Sequence, residues 1–178
     1  CSLSTVWIAG FYIDKKERNV DYSYYLGPNY QKEQTVTKKP GVIVCNHLTW
    51  LDSVILIVAF YTGFVAKAEI LKVPILNKTI SGLQSVYIER AGTEEEKQKV
   101  LDLIKERQIL VEKDPRYPYI TIYPEGTQSN GDHLLTFKKG AFASLMAVQP
   151  VVLRYRNTGV NMCWQGISVI QHILVNGS

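Results

Sequence analysis

His47 and Asp52, five positions apart, are the residues of this chain best suited to do chemistry, and they come directly after the apolar run Val42–Cys45. An imidazole held by a carboxylate can take a proton from a hydroxyl group near neutral pH, where most side chains cannot. On one helix the two residues would lie about 140° apart around the cylinder and would not touch. We therefore predict that His47 lies in the turn before a helix and that Asp52 lies in its first turns, where the carboxylate can fix the imidazole tautomer.

Other readings of these residues remain open at this point. A short pair matches by chance often enough that His47 and Asp52 could both be structural. No metal site is predicted, because a zinc site needs three or more ligands and neither His133 nor His172 has the spacing to join His47. Cys45 could be proposed as a nucleophile, but as the last residue of an apolar run it is better interpreted as a small buried hydrophobe.

The elements that must position this pair alternate between strand and helix. Strands are predicted at Val42–Cys45, 64–67, 85–89, 120–123 and 151–155, and helices at 50–61, 71–82, 93–113 and 137–147. The third helix begins at a capping box, Thr93 with Glu96, and should end before Asp114 and Pro115. Such alternation predicts an α/β fold with a largely parallel central sheet flanked by helices, and ligand sites past the carboxyl ends of its strands.

Composition and segment lengths limit the class of protein. With 178 residues, 46% hydrophobic and 20% charged, the chain can bury a sizeable core and is not expected to be disordered. The net charge of +4 is compatible with a phosphate-bearing ligand or a lipid surface, and no nucleic-acid partner is expected. The longest apolar stretch, 54–65, is about half the length of a membrane span.

The three cysteines show no metal spacing and form no complete disulfide framework, which favours a reducing compartment. Residues 1–40 are interpreted as a leading helix or arm and 41–178 as the functional domain. The first residue is not Met and the last segment is apolar, so we expect a piece of a longer protein.

Four segments, taken in order, resemble the glycerolipid acyltransferase family. They are Asn46-His47 with Asp52, a strand ending in Ile88-Glu89-Arg90, Pro124-Glu125-Gly126-Thr127, and Pro150-Val151. The resemblance covers about residues 40–175 and is sharpest in YPEGTQSNGDHLLTFKKGAF, VQPVVLRY and CWQGISVIQHIL, which are similar to the lysophosphatidylcholine and lysophosphatidylethanolamine acyltransferase branch. It implies a glycerol-3-phosphate acyltransferase-like fold.

The resemblance also implies a role for each matching residue. His47 is the general base and Asp52 its orienting partner. Arg90 lies near the acceptor's phosphate, which a guanidinium suits through its bidentate donors. Residues of the third segment bind the acceptor: Glu125, Gly126 and Thr127. Three lysines are candidate contacts for phosphates of the acceptor or of coenzyme A: Lys67, Lys138 and Lys139.

Purely structural roles are alternatives for several of these residues. Arg90 could form a surface salt bridge with the run Glu94–Glu96, Glu125 could cap a turn, and the lysines could be solvated surface charges. One departure from the family pattern carries information: Gln128 follows Glu-Gly-Thr, where many members of the family, especially those that use lysophosphatidic acid, have arginine. Loss of that cation favours a phosphodiester headgroup over a doubly charged phosphomonoester.

The reaction implied is acyl transfer from acyl-CoA, as co-substrate, to the free hydroxyl of a lysophospholipid, with no bound cofactor and no acyl-enzyme. We expect a membrane-associated protein at the endoplasmic reticulum, with the site facing the cytoplasm. Alternatives are a lysophosphatidic acid or glycerol-3-phosphate acyltransferase, a CoA-independent transacylase, or a lipid-binding module with a vestigial pair. An esterase would need a Gly-x-Ser-x-Gly elbow, which the sequence lacks.

Overall fold

The computed structural model describes residues 4–8, 11–18, 21–28, 40–72, 74–89 and 92–156. Contacts between residues divide the chain into two units, Cys1–Lys39 and Pro40–Ser178. In the first unit, β1 (Ser4–Ile8) pairs antiparallel with β2 (Phe11–Lys15), and α1 is the short helix Ser23–Leu26. This segment is interpreted from the sequence as a leading helix or an arm. Residues 4–15 form a strand pair, which their β-branched and aromatic residues favour, and the arm stays a prediction.

The second unit alternates strands and helices. Its strands are β3 (Val42–Cys45), β4 (Thr62–Lys67), β5 (Val86–Ile88), β6 (Tyr119–Ile122) and β7 (Val148–Val151). Its α-helices are α2 (Leu51–Phe60), α3 (Pro74–Gly82) and α4 (Glu94–Lys113), and short 3-10 turns span Ala68–Lys72 and Lys139–Phe142.

The five strands form one sheet in the order β5-β4-β6-β3-β7, and every pairing is parallel. The predicted α/β class with a largely parallel, helix-flanked sheet is therefore confirmed. All the carboxyl ends lie along one edge of the sheet, which is where ligand sites form in such folds.

Both faces of the sheet are buried, each under a different part of the chain. On one face, α4 and the turn Lys139–Phe142 cover a cluster built on Val42, Val44, Ile104, Val111, Ile120, Ile122 and Ala141. On the other face, α2 covers a cluster built on Cys45, Leu56 and Phe64, with Tyr123, Val151 and Leu153 packed against it. The chain thus leaves the adjacent strands β3 and β6 towards opposite faces, the arrangement at which ligand sites form in parallel sheets.

Local signals fixed the ends of α4 as predicted. The Thr93 side chain accepts from the backbone N–H of Glu96, and the Glu96 carboxylate accepts from the backbone N–H of Thr93, which completes the capping box. The helix ends at Lys113, with Asp114 as its C-cap. Both bounds confirm the prediction.

The helix predicted at 137–147 is wrong, because only the 3-10 turn Lys139–Phe142 forms there. The Gln108 side chain of α4 donates to the carbonyl oxygens of Gly140 and Ala141. The backbone N–H of Lys138 donates to the Pro124 carbonyl oxygen. Leu145 has φ 55°, in the left-handed region. These contacts use the backbone groups that helix hydrogen bonds would need.

Strand β7 begins three residues and ends four residues before the predicted strand 151–155, because Val148 to Val151 pair with Val42 to Cys45. Among the strands that the structure describes, β7 ends the sheet order and pairs with β3 alone, which is a position where Pro150 is tolerated. Among the described residues, no helix combines the length and the apolarity that crossing a bilayer requires.

Candidate active site at the carboxyl end of the sheet

His47 and Asp52 meet just beyond the carboxyl end of β3. His47 lies in the turn between β3 and α2, Asp52 is the second residue of α2, and His47 Nδ1 is 2.8 Å from Asp52 Oδ2. The Asp52 side chain is fully buried, whereas 18% of the His47 side chain is exposed. The imidazole is therefore fixed at one edge by the carboxylate and open to substrate elsewhere.

The Asp52 carboxylate holds the whole turn together. Besides His47, Oδ2 accepts from the backbone N–H groups of Leu48 at 2.6 Å and Thr49 at 2.9 Å. Oδ1 accepts from the Tyr155 hydroxyl at 2.5 Å. A carboxylate buried from water is stable only with such partners. The same four bonds fix the position of His47 relative to the sheet.

Asn46 ties this turn to the segment after β7. Its side-chain Nδ2 donates to the Leu153 carbonyl at 3.0 Å, and its Oδ1 accepts from the Leu153 N–H at 2.8 Å. The side-chain amide of Asn46 thus bonds both backbone groups of Leu153, as a backbone amide of a paired strand would, and extends the pairing of β3 with β7. This contact brings Tyr155, two residues further on, within reach of Asp52.

Two tyrosines that the sequence interpretation missed contact the pair. The Tyr123 ring stacks on the imidazole of His47, with ring centroids 3.9 Å apart and planes 9° from parallel. The Tyr123 hydroxyl lies 3.0 Å from the Ser53 hydroxyl. Burial raises the pKa of Tyr123, and burial together with the neighbouring Asp52 raises the pKa of Tyr155. Both phenols therefore stay protonated, and each can donate a hydrogen bond.

The Pro-Glu-Gly-Thr segment follows β6, the neighbour of β3, and lies against the His47 turn. The backbone N–H of Ser129 donates to the His47 carbonyl at 2.9 Å. Gly126 has φ 69°, which favours glycine, and its N–H closes a tight turn onto the Tyr123 carbonyl. A Cβ on Gly131 would lie 3.0 Å from Leu48 Cδ2. The segments of His47 and Glu125 are thus neighbours, as their positions after two strands predicted.

Glu125 and Lys138 belong to one folded loop. Glu125 is 5% exposed, and its Oε2 accepts from the Leu135 N–H at 3.0 Å. A Cβ on Gly126 would lie 2.6 Å from Lys138 Nζ, so the ammonium group covers this turn. The loop therefore places a cation and a buried acid in the segment that lies against the His47 turn.

Three of the remaining predicted site residues are exposed. Thr127 and Lys139 are exposed in the same loop, and Lys67 is the exposed last residue of β4, the other neighbour of β6. Arg90 lies outside the described residues, so its predicted contact with the acceptor stays a prediction.

Within the described ranges, no three His, Cys, Asp or Glu side chains cluster as metal ligands.

Cys45 is placed as a core residue, with 1% of its surface exposed. Burial, reinforced by the negative charge of Asp52, raises the pKa of the Cys45 thiol to about 12. Since the thiolate is the nucleophile, this cysteine is inert at neutral pH.

We expect Cys45→Ala to retain at least about half of the wild-type kcat, because it removes one small buried group and no reacting atom. Steady-state kinetics of the acyl transfer that the resemblance implies measure this. If kcat fell 100-fold or more while the fold was retained, the alternative interpretation of Cys45 as a nucleophile would be supported.

Comparison with known proteins adds an independent finding. Residues 28–155 match the family described as Acyltransferase. The chain is 36% identical over 147 residues to lysophospholipid acyltransferase LPEAT1 of Arabidopsis thaliana, covering 81% of this chain and 37% of the relative. It is 33% identical over 134 residues to human lysophosphatidylcholine acyltransferase 2, covering 74% and 24%.

A third relative is lysophospholipid acyltransferase LPCAT4 of Xenopus tropicalis, 31% identical over 137 residues, with 76% of this chain and 26% of the relative covered. The chain thus spans between 24 and 37% of the length of these relatives. No solved structure matches it significantly.

Proposed function

Because this chain belongs to the acyltransferase family, we propose that it carries the catalytic domain of an enzyme that transfers an acyl chain from acyl-CoA to a lysophospholipid. The observation that carries the proposal is the contact between His47 Nδ1 and Asp52 Oδ2 at the carboxyl edge of a parallel sheet. With Nδ1 held by the carboxylate, the other ring nitrogen, Nε2, is the one that can accept a proton from a substrate.

The proposed mechanism is a direct attack. His47 Nε2 takes the proton from the free hydroxyl of the lysophospholipid while its oxygen attacks the thioester carbonyl of acyl-CoA. The buried Asp52 carboxylate stabilises the imidazolium that forms. The C–S bond then breaks, and coenzyme A leaves as a thiolate, which needs little acid assistance because an ordinary thiol has a pKa of about 8.5.

The acceptor is proposed to lie over the loop after β6. The buried Glu125, the tight turn at Gly126 and the exposed Thr127 line this loop beside the His47 turn, and Lys138 Nζ covers it. An ammonium group at this position suits the phosphate of a lysophospholipid. Arg90, Lys67 and Lys139 remain proposed contacts for phosphate groups of the acceptor or of coenzyme A.

A choline or ethanolamine headgroup is favoured over a phosphomonoester. Gln128 stands where the family pattern for lysophosphatidic acid has arginine, and Lys138 therefore faces the turn without that second cation. Two relatives are named as a lysophospholipid acyltransferase and a lysophosphatidylcholine acyltransferase, which supports a lysophospholipid acceptor.

A membrane surface is the proposed partner, because both the acceptor and the acyl chain are amphiphiles. Apolar side chains are exposed on both sides of the turn Lys139–Phe142, with Leu134 77% and Leu145 93% exposed, and Lys138 and Lys139 between them are exposed as well. The sequence from 133 to 156 contains four lysines and arginines and no acidic residue. Apolar and cationic groups together suit a lipid headgroup boundary. Location at the endoplasmic reticulum, facing the cytoplasm, remains a prediction.

The test is the release of coenzyme A thiol from one acyl-CoA in the presence of a panel of lysolipids. We expect the highest kcat/KM with lysophosphatidylcholine or lysophosphatidylethanolamine. A preference for lysophosphatidic acid or glycerol 3-phosphate would support the alternative acceptors instead. Acyl transfer between phospholipids without acyl-CoA would indicate a transacylase, and the absence of any acylated lipid would overturn the proposal.

A further inference from the structure

We propose that Tyr123 and Tyr155 are positioning residues for the His47–Asp52 pair, Tyr123 through the face of its ring and Tyr155 through its hydroxyl group. The inference rests on the proposed function, since it concerns the same acyl transfer. The two tyrosines reach the pair from opposite sides, because β6 and β7 are the two neighbours of β3.

Tyr123 sets the plane of the imidazole. Its ring lies 3.9 Å from that of His47 and within 9° of parallel. The tyrosine is itself fixed, because its hydroxyl lies 3.0 Å from Ser53 Oγ and its ring lies nearly parallel to that of Phe64. His47 cannot rotate out of this plane without losing the stack, so Nε2 keeps one direction. When the imidazolium forms, the electron-rich ring face also stabilises its charge.

Tyr155 completes the shell of Asp52. Asp52 Oδ2 forms hydrogen bonds with His47, Leu48 and Thr49. Asp52 Oδ1 accepts a hydrogen bond from the Tyr155 hydroxyl at 2.5 Å. Asp52 is fully buried, so loss of this donor leaves Oδ1 without a replacement from bulk water. The carboxylate is then less stable as an anion, and it is less able to hold the imidazolium in the transition state.

Replacement of tyrosine by phenylalanine should therefore lower kcat at position 155 and have little effect on kcat at position 123. Tyr155→Phe is expected to lower kcat about ten- to hundredfold, the usual effect of losing a hydrogen bond to a charged group, with both KM values within about twofold. Tyr123→Phe keeps the ring face and should stay within about threefold of wild type, whereas Tyr123→Leu should lose about tenfold or more in kcat. If the leucine variant does not fold, Tyr123→Met replaces it.

Tyr87→Phe is the matched control, because its hydroxyl also bonds a serine, Ser81, at 2.9 Å in another part of the unit. It should change neither kcat nor KM.

In an Asp52→Asn background, Tyr155→Phe should cause no further loss of kcat, because Tyr155 acts through Asp52. An equal loss in both backgrounds, a wild-type kcat for Tyr155→Phe or Tyr123→Leu, or a change confined to KM would overturn the inference.

A spectroscopic measurement separates this inference from the proposed function. With labelled histidine, the ring current of Tyr123 shifts the His47 ring protons upfield, whether or not acyl transfer is observed. Tyr123→Phe should keep that shift and Tyr123→Leu should remove it. A His47 spectrum that is identical in all three proteins would overturn the stack, while an inactive wild type that shows the shift would overturn only the function.

Discussion

His47→Ala is expected to lower kcat about 10³-fold or more, because it removes the only group that the mechanism uses to take the acceptor's proton. The measurement is thiol release with saturating acyl-CoA and lysophosphatidylcholine. KM for acyl-CoA should change little, since the imidazole acts on the acceptor hydroxyl. The fold should be retained, because the side chain is partly exposed and the Asp52 bonds to Leu48 and Thr49 remain.

His133→Ala is the matched control for this variant, since it removes an exposed histidine from the loop after β6. It should keep wild-type kinetics and thermal stability. If His47→Ala and His133→Ala were equally active, His47 would not be the base, and the proton would have to go elsewhere.

Asp52→Asn is expected to lower kcat about 10²- to 10⁴-fold, in the range found when the acid that orients a catalytic histidine is neutralised. The amide keeps an oxygen for His47 and the two backbone N–H groups, but it removes the negative charge that stabilises the imidazolium. Unlike His47→Ala, it should also lower the free energy of unfolding, because four donors surround this buried group. Kinetics and thermal unfolding of the same preparation separate the two effects.

Asp102→Asn, at an exposed position of α4, makes the same chemical change away from the site and should leave both quantities unchanged. An Asp52→Asn protein with wild-type kcat would show that His47 does not need the carboxylate. Lost activity in a protein that is fully unfolded would instead place Asp52 in the fold alone, which Asp52→Glu would then check.

What the sequence predicted well depends on neighbours along the chain. The capping box at Thr93 and Glu96 and the strand Val42–Cys45 are read from adjacent residues, and both are present. His47 and Asp52 are also close in sequence, and a single turn followed by a helix is enough to bring them together. Alternation of strands and helices then indicated that Glu125 belongs to the same edge of the sheet.

What the sequence missed depends on contacts between distant residues. Gln108 of α4 bonds the carbonyl of Ala141 in the segment where a helix was predicted, and Tyr155 reaches Asp52 across 103 positions. Tyr123 stacks on His47 because β6 is inserted beside β3, and alternation of elements alone does not give strand order. A weak signal existed, since both tyrosines follow apolar runs at predicted strand ends.

The most direct test of the central claim is thiol release from acyl-CoA by the wild-type and His47→Ala proteins, each with and without lysophospholipid. Proton removal from the acceptor by His47 predicts coenzyme A release only in the wild type and only when lysophospholipid is present. A burst of thiol from the wild type without acceptor, or full release by His47→Ala with it, would contradict direct attack assisted by this histidine.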